Sequence, residues 1–343
     1  MNTRPRSLLA TAGLALVLTA ATSAQTLDIY FVDVEGGQAT LIVTPAKETF
    51  LIDTGYAGSG RGPAQAGDPR EARDAGMTQI DYLMITHFHG DHDGGIVELS
   101  QLLPIKTFVD HGDVLPAAEQ NVPGTKEYFN AYAAVRATGN HLEPKPGDRL
   151  PLKGVDVTVV SSAAVILSKA LNDAGGRNAA CGPSGLPAGD PNENPRSTGV
   201  LLQFGKFRFL DVGDLSGPPL FQLACPNDMI GPVDVYLVAH HGGSDAAEPA
   251  TFAAFRPRVS ILNNGATKGG AADMFTFLHQ TEDRGDVWQL HRSNAAGSNN
   301  FAEERIANLA ETTAHWIKIT ANDDGSFKVM NARTGAWQDY SAQ

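Results

Sequence analysis

The chain has 343 residues, 42% of them hydrophobic and 19% charged, enough apolar material for a large core and too much for a disordered chain. Its net charge of −12, without any basic run, speaks against a nucleic-acid-binding surface. No internal repeat or heptad pattern marks a solenoid or a coiled coil.

The chain opens with "MNTRPRSLLATAGLALVLTAATSAQ", in which Arg4 and Arg6 precede an uncharged run from Leu8, followed by small residues at Thr22 and Ala24. This order predicts a secretory signal over residues 1–24, with an uncleaved N-terminal anchor as the competing reading. A single hydrolase domain over 25–343 would then be periplasmic or secreted, with no membrane span left after removal of the signal. Cys181 and Cys225 fall in the exported part, as a disulfide pinning a long loop or as two thiols.

Strands are expected at "LDIYFVDV" (27–34), "GGQATLIVTP" and "ETFLIDTG". Residues 56–76 read as an irregular loop, and "QIDYLMITH" as an apolar strand. "IVELSQLLP" has helical spacing, "KTFVDHG" is a strand, and "GTKEYFNAYAAVRATG" is an amphipathic helix closed by Gly139. After the strand "VDVTVVSS", residues 169–198 form an Asn/Gly/Pro-rich insertion, a surface loop or a lid. "STGVLLQFGKFRFLDVGD" is a hairpin, "PPLFQLAC" a helix and "VDVYLVAHHGGS" a buried strand. A helix and strand follow in "PATFAAFRPRVSILNNG", then a helix at "FAEERIANLA" and a closing hairpin in "HWIKITANDDGSFKVMNA". Strands in two groups with helices between them predict layered α/β packing around two sheets.

The stretch "THFHGDHDGG" concentrates His87, His89, Asp91 and His92 directly after an apolar strand. Four ligand-type side chains on one short loop crowd like acceptors together and need an ion between them. Imidazole and carboxylate suit zinc, manganese or iron, and without nearby cysteine a structural zinc clip is disfavoured. His87 and His89 alternate toward one position, and Asp91 and His92 toward a second.

This stretch resembles the HxHxDH signature of the metallo-β-lactamase fold superfamily. "FLIDTG", "FRFLDVGD" and "LVAHHGGS" resemble, in order, its later site segments. "FVDVEGGQATLIVTP" resembles the opening of the branch that includes competence-type DNA-uptake proteins and phosphorylcholine esterases, although Glu35 and Gly37–Gln38–Ala39 depart from the usual wording. The resemblance implies a four-layer αββα sandwich. It implies that His87 and His89 hold one ion, Asp91 and His92 a second, that Asp214 bridges both, and that His241 completes the second site. The ions would be Zn2+, with Mn2+ or Fe2+ as alternatives, and Asp91 with Asp214 would be the catalytic carboxylates, Asp91 orienting the attacking water or accepting its proton. Asp53 would support the metal loop, and His240 would contact it or the substrate, the two histidines being exchangeable as ligand.

Many superfamily members carry another histidine upstream of the bridging Asp, where this chain reads "NENPRSTG". Asn194 or His111 is expected to fill that place. His291, Asn263, Asn264 and Lys268 are candidates for a substrate pocket, amides and an ammonium suiting phosphate or carboxylate. His141 and His279 are expected at the surface or in structural roles, and His315 as a packing residue. The implied function is an exported hydrolase acting on a small anionic substrate such as a phosphodiester or phosphorylcholine ester. The alternatives are a lactone or acyl-ester hydrolase, an iron-dependent redox protein and a non-catalytic metal-binding module.

Overall fold

The computed structural model describes residues 25–58, 75–171, 174–182, 187 and 189–342. The expected signal over 1–24, most of the loop at 56–76 and parts of the 169–198 insertion lie outside the described residues.

In chain order the first group of strands is β1 (Leu27–Phe31), β2 (Thr40–Val43), β3 (Thr49–Ile52), β4 (Ile80–Met84), β5 (Ile105–Val109) and β6 (Asn140–Leu142). Helices α1 (Ile96–Leu102), α2 (Ala118–Asn121) and α3 (Thr125–Arg136) are interleaved with them. The second group is β7 (Arg149–Leu150), β8 (Asp156–Ser162), β9 (Val165–Ile166), β10 (Gly199–Phe204), β11 (Phe207–Asp211), β12 (Val235–Leu237), β13 (Val259–Leu262), β14 (Asp286–His291) and β15 (Ile306–Asn308). It carries α4 (Gly217–Gln222), α5 (Pro249–Phe255) and α6 (Ala272–Gln280). The chain ends with β16 (Ile317–Ala321), β17 (Phe327–Asn331) and β18 (Ala336–Tyr340), which rejoin the first sheet through β1.

The strands make two sheets, ordered β18-β17-β16-β1-β2-β3-β4-β5-β6 and β15-β14-β13-β12-β11-β10-β8-β7, with β9 paired to β8. Alternation along each strand builds the layers, because successive side chains point to opposite faces. Leu27, Ile29 and Phe31 of β1 join Phe209, Val235 and Ile261 of the facing sheet in a core between the sheets. Tyr30 points the other way, into an outer core shared with Leu99 of α1 and Tyr132 of α3. Leu210 and Tyr236 likewise leave the central core for an outer one with Phe252 and Phe255 of α5 and Leu278 of α6. The result is the αββα sandwich expected from the sequence.

Two stretches of parallel pairing, β3-β4-β5-β6 and β11-β12-β13-β14-β15, align the carboxyl ends of strands from both sheets along one edge of the sandwich. Ligand sites in α/β sheets form beyond such ends, where loops leave the sheet.

One expectation changes. "FAEERIANLA" is a short turn of 3-10 helix followed by β15, not a helix: Ile306 and Asn308 pair in parallel with Gln289 and His291, and that pairing overrides the local preference. His141 is at the surface as expected, exposed on the edge strand β6 with Nε2 3.0 Å from both oxygens of Asp110. In the insertion, 174–182 is laced to the segment after α4. Cys181 and Cys225 form a disulfide, Arg177 bridges to Asn227, and the Asn178 side-chain amide donates to the carbonyls of Ala224 and Ala250. These ties hold 174–182 on the outer face of the second sheet, so this part of the insertion does not form a lid.

Candidate metal centre

The histidine loop is aimed by one aromatic residue. Phe88 is fully buried against Phe129 and Tyr132 of α3, with ring centroids 4.7 and 5.7 Å away. Burying such a ring stabilises by about 1.5–3 kcal/mol. The chain bends at His87 and Phe88, so that while Phe88 packs outward on α3 the two flanking histidines turn toward each other, His87 Nε2 lying 3.0 Å from His89 Nδ1. The loop then doubles back so tightly that a Cβ on Gly94 would stand 2.2 Å from the Gly90 carbonyl oxygen, which makes glycine mandatory at that position.

Asp53, at the end of β3, holds this loop in place. It accepts hydrogen bonds from the Thr86 backbone N–H at 2.7 Å and the Thr86 hydroxyl at 2.8 Å, and its Oδ2 lies 2.7 Å from His92 Nδ1. That contact leaves His92 Nε2 facing the site. Burial pushes the Asp53 pKa up, against the opposing pull of His92.

Asp214 follows β11 and His241 follows β12, so the second sheet supplies the opposite wall. Asp91, His92, Asp214 and His241 each present a ligand atom, all within 4.8 Å of one another, and all four residues are buried. His92 Nε2 and His241 Nε2 each lie 3.2 Å from Asp214 Oδ2. Asp91 Oδ2 is 3.4 Å from His92 Nε2 and 3.2 Å from His241 Nε2. On the other flank His87 Nε2 is 3.0 Å from His89 Nδ1 and 3.9 Å from the same Asp214 oxygen. Asp214 thus stands between two groups of donors.

The residues present fit divalent ions. Asp214 Oδ1, His89 Nε2, His241 Nδ1 and Asn194 Oδ1 are buried and make no hydrogen bond among the described residues. The donor set is wholly nitrogen and oxygen, which suits zinc, manganese or iron. Charge states differ across the cluster: burial opposes charge on His92, but Asp214, Asp91 and Asp53 overcome it and hold the ring well above the usual imidazole range, so an ion binding there displaces its proton. Burial, with His92 and His89 adding to it, holds His87 well below the usual imidazole range, and burial lowers His89 as well. Burial works to raise Asp91 and Asp214, but the histidines around each, and Lys268 beside Asp91, overcome it and hold both carboxyls well below their usual range. Neutral imidazoles and ionised carboxylates are the forms that bind a cation.

The backbone is strained at three residues in and around the cluster. Asp53, His240 and His241 all have left-handed φ, at 63°, 51° and 53°. Such conformations cost about 1–3 kcal/mol each and persist where a site requires them. At the pair after β12 the strain separates the two rings. His241 points into the cluster, while His240 Nδ1 lies 2.9 Å from Asp245 and its Nε2 3.7 Å from Asp214. Burial opposes charge on His240, yet Asp214 and Asp245 push its pKa up to about 9.

The remaining candidates fall into place around this centre. Asn194 is buried, with its amide nitrogen 3.4 Å from His240 Nε2. His111 is not brought into the cluster. Its Nε2 lies 3.0 Å from Glu193 Oε2 and its ring packs 4.6 Å from Phe88, between the loop after β5 and the returning insertion. His291 Nε2 is 2.9 Å from Asp33 Oδ1 and steadies the loop after β1. The amides of Asn263 and Asn264 are turned into the fold: Asn263 donates to Gln38 Oε1, and Asn264 to the carbonyls of Gly265 and His291. His279 stacks on Phe301 and lies 2.8 Å from the Asn299 carbonyl, a structural role.

Two contributors were not singled out in the sequence. Gln38 donates from Nε2 to both oxygens of Asp211 at 3.1 Å, and its backbone N–H donates to the Asp91 carbonyl at 3.0 Å. It therefore ties the Asp91 loop of one sheet to the strand that carries Asp214 in the other. Glu193, fully buried, pairs with His111, and its pKa is lowered because His111 and the Leu115 N–H overcome the effect of burial. Only the departure of "EGGQAT" from the family wording hinted at Gln38; nothing local marks Glu193.

A family model described as the metallo-beta-lactamase superfamily matches residues 32–165. No curated protein matches the chain. Solved structures similar to it include CmlA, a diiron β-hydroxylase from Streptomyces venezuelae, at 16% identity and TM-score 0.40 over 70% of this chain and 45% of that one. The fold protein YhfI from Bacillus subtilis aligns at 10% identity and TM-score 0.44, over 77% and 96% of the two chains. A diphosphatase of the PhnP family aligns at 11% identity and TM-score 0.39, over 85% and 97%. The chain spans about half the length of the CmlA structures. The protein has the metallo-β-lactamase superfamily fold, with a buried His/Asp cluster able to hold metal ions and consistent with a site of the metallo-hydrolase type.

Proposed function

We propose that this protein is an exported hydrolase that holds two divalent ions and cleaves a small anionic ester, such as a phosphodiester or phosphorylcholine ester. The observation that carries the reading is the position of Asp214 between His87–His89 on one side and Asp91, His92 and His241 on the other. In this reading His87 and His89 hold the first ion, Asp91, His92 and His241 the second, and Asp214 both. Asn194, through its unbonded side-chain oxygen, is the better placed of the two remaining candidates for the first ion, since His111 faces Glu193. The ions, when bound, supply Lewis-acid charge and acidify a water.

The protein's own groups do the rest. Asp53 keeps His92 oriented, and Asp91 receives the proton that the attacking water loses. His240, braced by Asp245 and facing Asp214, stands where it contacts substrate. The "VDVEGGQAT" and "AHHGGS" segments support placement in the branch named above. Export and a single domain over 25–343 are supported by the N-terminal segment and by the Cys181–Cys225 disulfide, since disulfides persist in oxidising compartments. No helix among the described residues is long and apolar enough to cross a membrane.

Two observations favour a second reading. The nitrogen and oxygen donor set accommodates iron as readily as zinc, which admits a redox role. A cavity of about 240 Å³ beside His111, with Pro144, Pro146, Ala163 and Val165 in its wall, suits the apolar part of a lactone or acyl ester. A panel of nitrophenyl phosphodiester, phosphorylcholine, lactone and cephalosporin substrates, with and without a chelator, tests the proposal. Chelator-sensitive cleavage of the phosphodiester supports it. Cleavage of the lactone alone moves the reading to acyl esters, and bound iron without hydrolysis refutes hydrolysis.

A further inference from the structure

Lys268 stands over the candidate metal centre on a loop whose course is closely constrained. After β13 the chain runs from Asn263 to Ala271 across the edge of the site. A Cβ on Gly269 would lie 2.5 Å from the His241 Cβ and 2.6 Å from the His241 carbonyl oxygen. On the other side a Cβ on Gly36 would lie 2.8 Å from the Lys268 carbonyl oxygen. Glycine at both positions lets the loop fit between the His241 turn and the loop after β1. The Gly265 N–H donates to the Lys268 carbonyl, and the Gly270 N–H to the His241 carbonyl, each at 2.8 Å. Lys268 is thereby fixed relative to a candidate ligand.

Its side chain is the member of the Asn263–Asn264–Lys268 trio that reaches the cavity, the two amides being committed inside the fold. The ammonium contacts the Asp91 carboxylate and lies 5.1 Å from the centroid of the Tyr56 ring. The side chain is 38% exposed, and it lines a cavity of about 430 Å³ together with His240, His241, Ser244 and Asp245, whose carboxylate is paired with His240. Asp91 is one anion shared between the ammonium and the cluster; with divalent ions held there, the ammonium and the ions would together face the cavity with excess positive charge, which an anionic ligand offsets. Lysine recognises phosphate and carboxylate oxygens as a point charge.

We propose that Lys268 is the recognition point for an anionic oxygen, of a phosphate or carboxylate group, on the substrate bound in this cavity. The proposal rests on the hydrolase reading above and gives its substrate class a specific contact. A lysine that merely fixed Asp91 would affect every substrate alike and would alter metal content; a recognition lysine acts on anionic ligands selectively.

The test uses metal-loaded protein and the variants Lys268→Gln and Lys268→Arg. Calorimetry measures the affinity for inorganic phosphate, elemental analysis the metal content, and kinetics the specificity ratio of bis(p-nitrophenyl) phosphate over the neutral p-nitrophenyl acetate. Loss of one charge-assisted contact predicts about a tenfold weaker phosphate affinity and about a tenfold lower specificity ratio in Lys268→Gln, carried by KM. Lys268→Arg should restore most of both, and metal content should match the parent. Unchanged phosphate affinity, an equal loss of kcat on both esters, or loss of metal would overturn the proposal. If neither ester is cleaved, the hydrolase reading fails, and the phosphate affinity still decides the role of Lys268.

Discussion

Asp53→Ala probes how far the site depends on a residue that touches no substrate. The side chain is fully buried and serves three groups: the Thr86 N–H at 2.7 Å, the Thr86 hydroxyl at 2.8 Å and His92 Nδ1 at 2.7 Å. Each buried polar group left without a partner costs about 1–3 kcal/mol. The Thr86 hydroxyl can turn toward His87 Nδ1, 3.1 Å away, so the full sum is not reached and a loss of about 3–6 kcal/mol is expected. Against a typical stability of about 5–15 kcal/mol this is a severe destabilisation. Asp53→Asn keeps the shape and part of the bonding and should lose only about 1–3 kcal/mol. Both variants release the His92 ring, and loss of such an orienting partner weakens metal binding by about 10–100-fold. Urea unfolding followed by circular dichroism gives the first quantity, and competition against a chelator the second. Metal affinity of Asp53→Asn within about threefold of the parent would refute the claim that Asp53 orients His92.

Other expectations follow from residues around the centre. Burial, with Asp53 adding to it, raises Asp211 to about 7 despite hydrogen bonds from Gln38 and Gly213. A carboxyl raised on folding contributes stability that is full below its unfolded value and is lost as pH rises through the folded one. The parent should therefore lose about 4 kcal/mol relative to Asp211→Asn between about pH 4 and 7, and a pH-independent difference in urea unfolding would contradict this. Replacing Cys181 and Cys225 by serine opens a loop with a sequence separation of 44 residues. Chain entropy puts that at about 4 kcal/mol, readable as a lower denaturation midpoint. Phe88→Ala should cost about 3–5 kcal/mol and lower metal affinity as well, because the ring aims His87 and His89. Stability loss with unchanged affinity would show that the loop holds its course without it.

Much of this was legible in the chain because chemistry and local pattern coincided. Apolar strands ending in His, Asp or Asn predicted the strands, and pairing placed their carboxyl ends on one edge. The alternation of His87, Phe88 and His89 carried both the burial and the aim of the loop. Residues whose role depends on another part of the chain were illegible. Gln38 acts on Asp211, and Glu193 on His111, across long separations with no local signature. Asn264 read as a pocket amide because its composition suited one, yet its donors are spent on Gly265 and His291. The helix expected at 301–310 failed because buried parallel pairing with β14 outweighed its helix-forming residues. β18 was missed because "AWQDY" lacks alternation and is held by pairing with β17 and by stacking of Tyr340 on Phe327.

The central claim is that Asp214 joins two metal positions. Elemental analysis of the purified protein and of Asp214→Asn, each stripped and reconstituted separately with zinc, manganese and iron, tests it most directly. The account predicts two ions per parent chain and one or none in Asp214→Asn, with the fold intact by circular dichroism. A parent that retains no stoichiometric ion, or a variant that retains both, would contradict it.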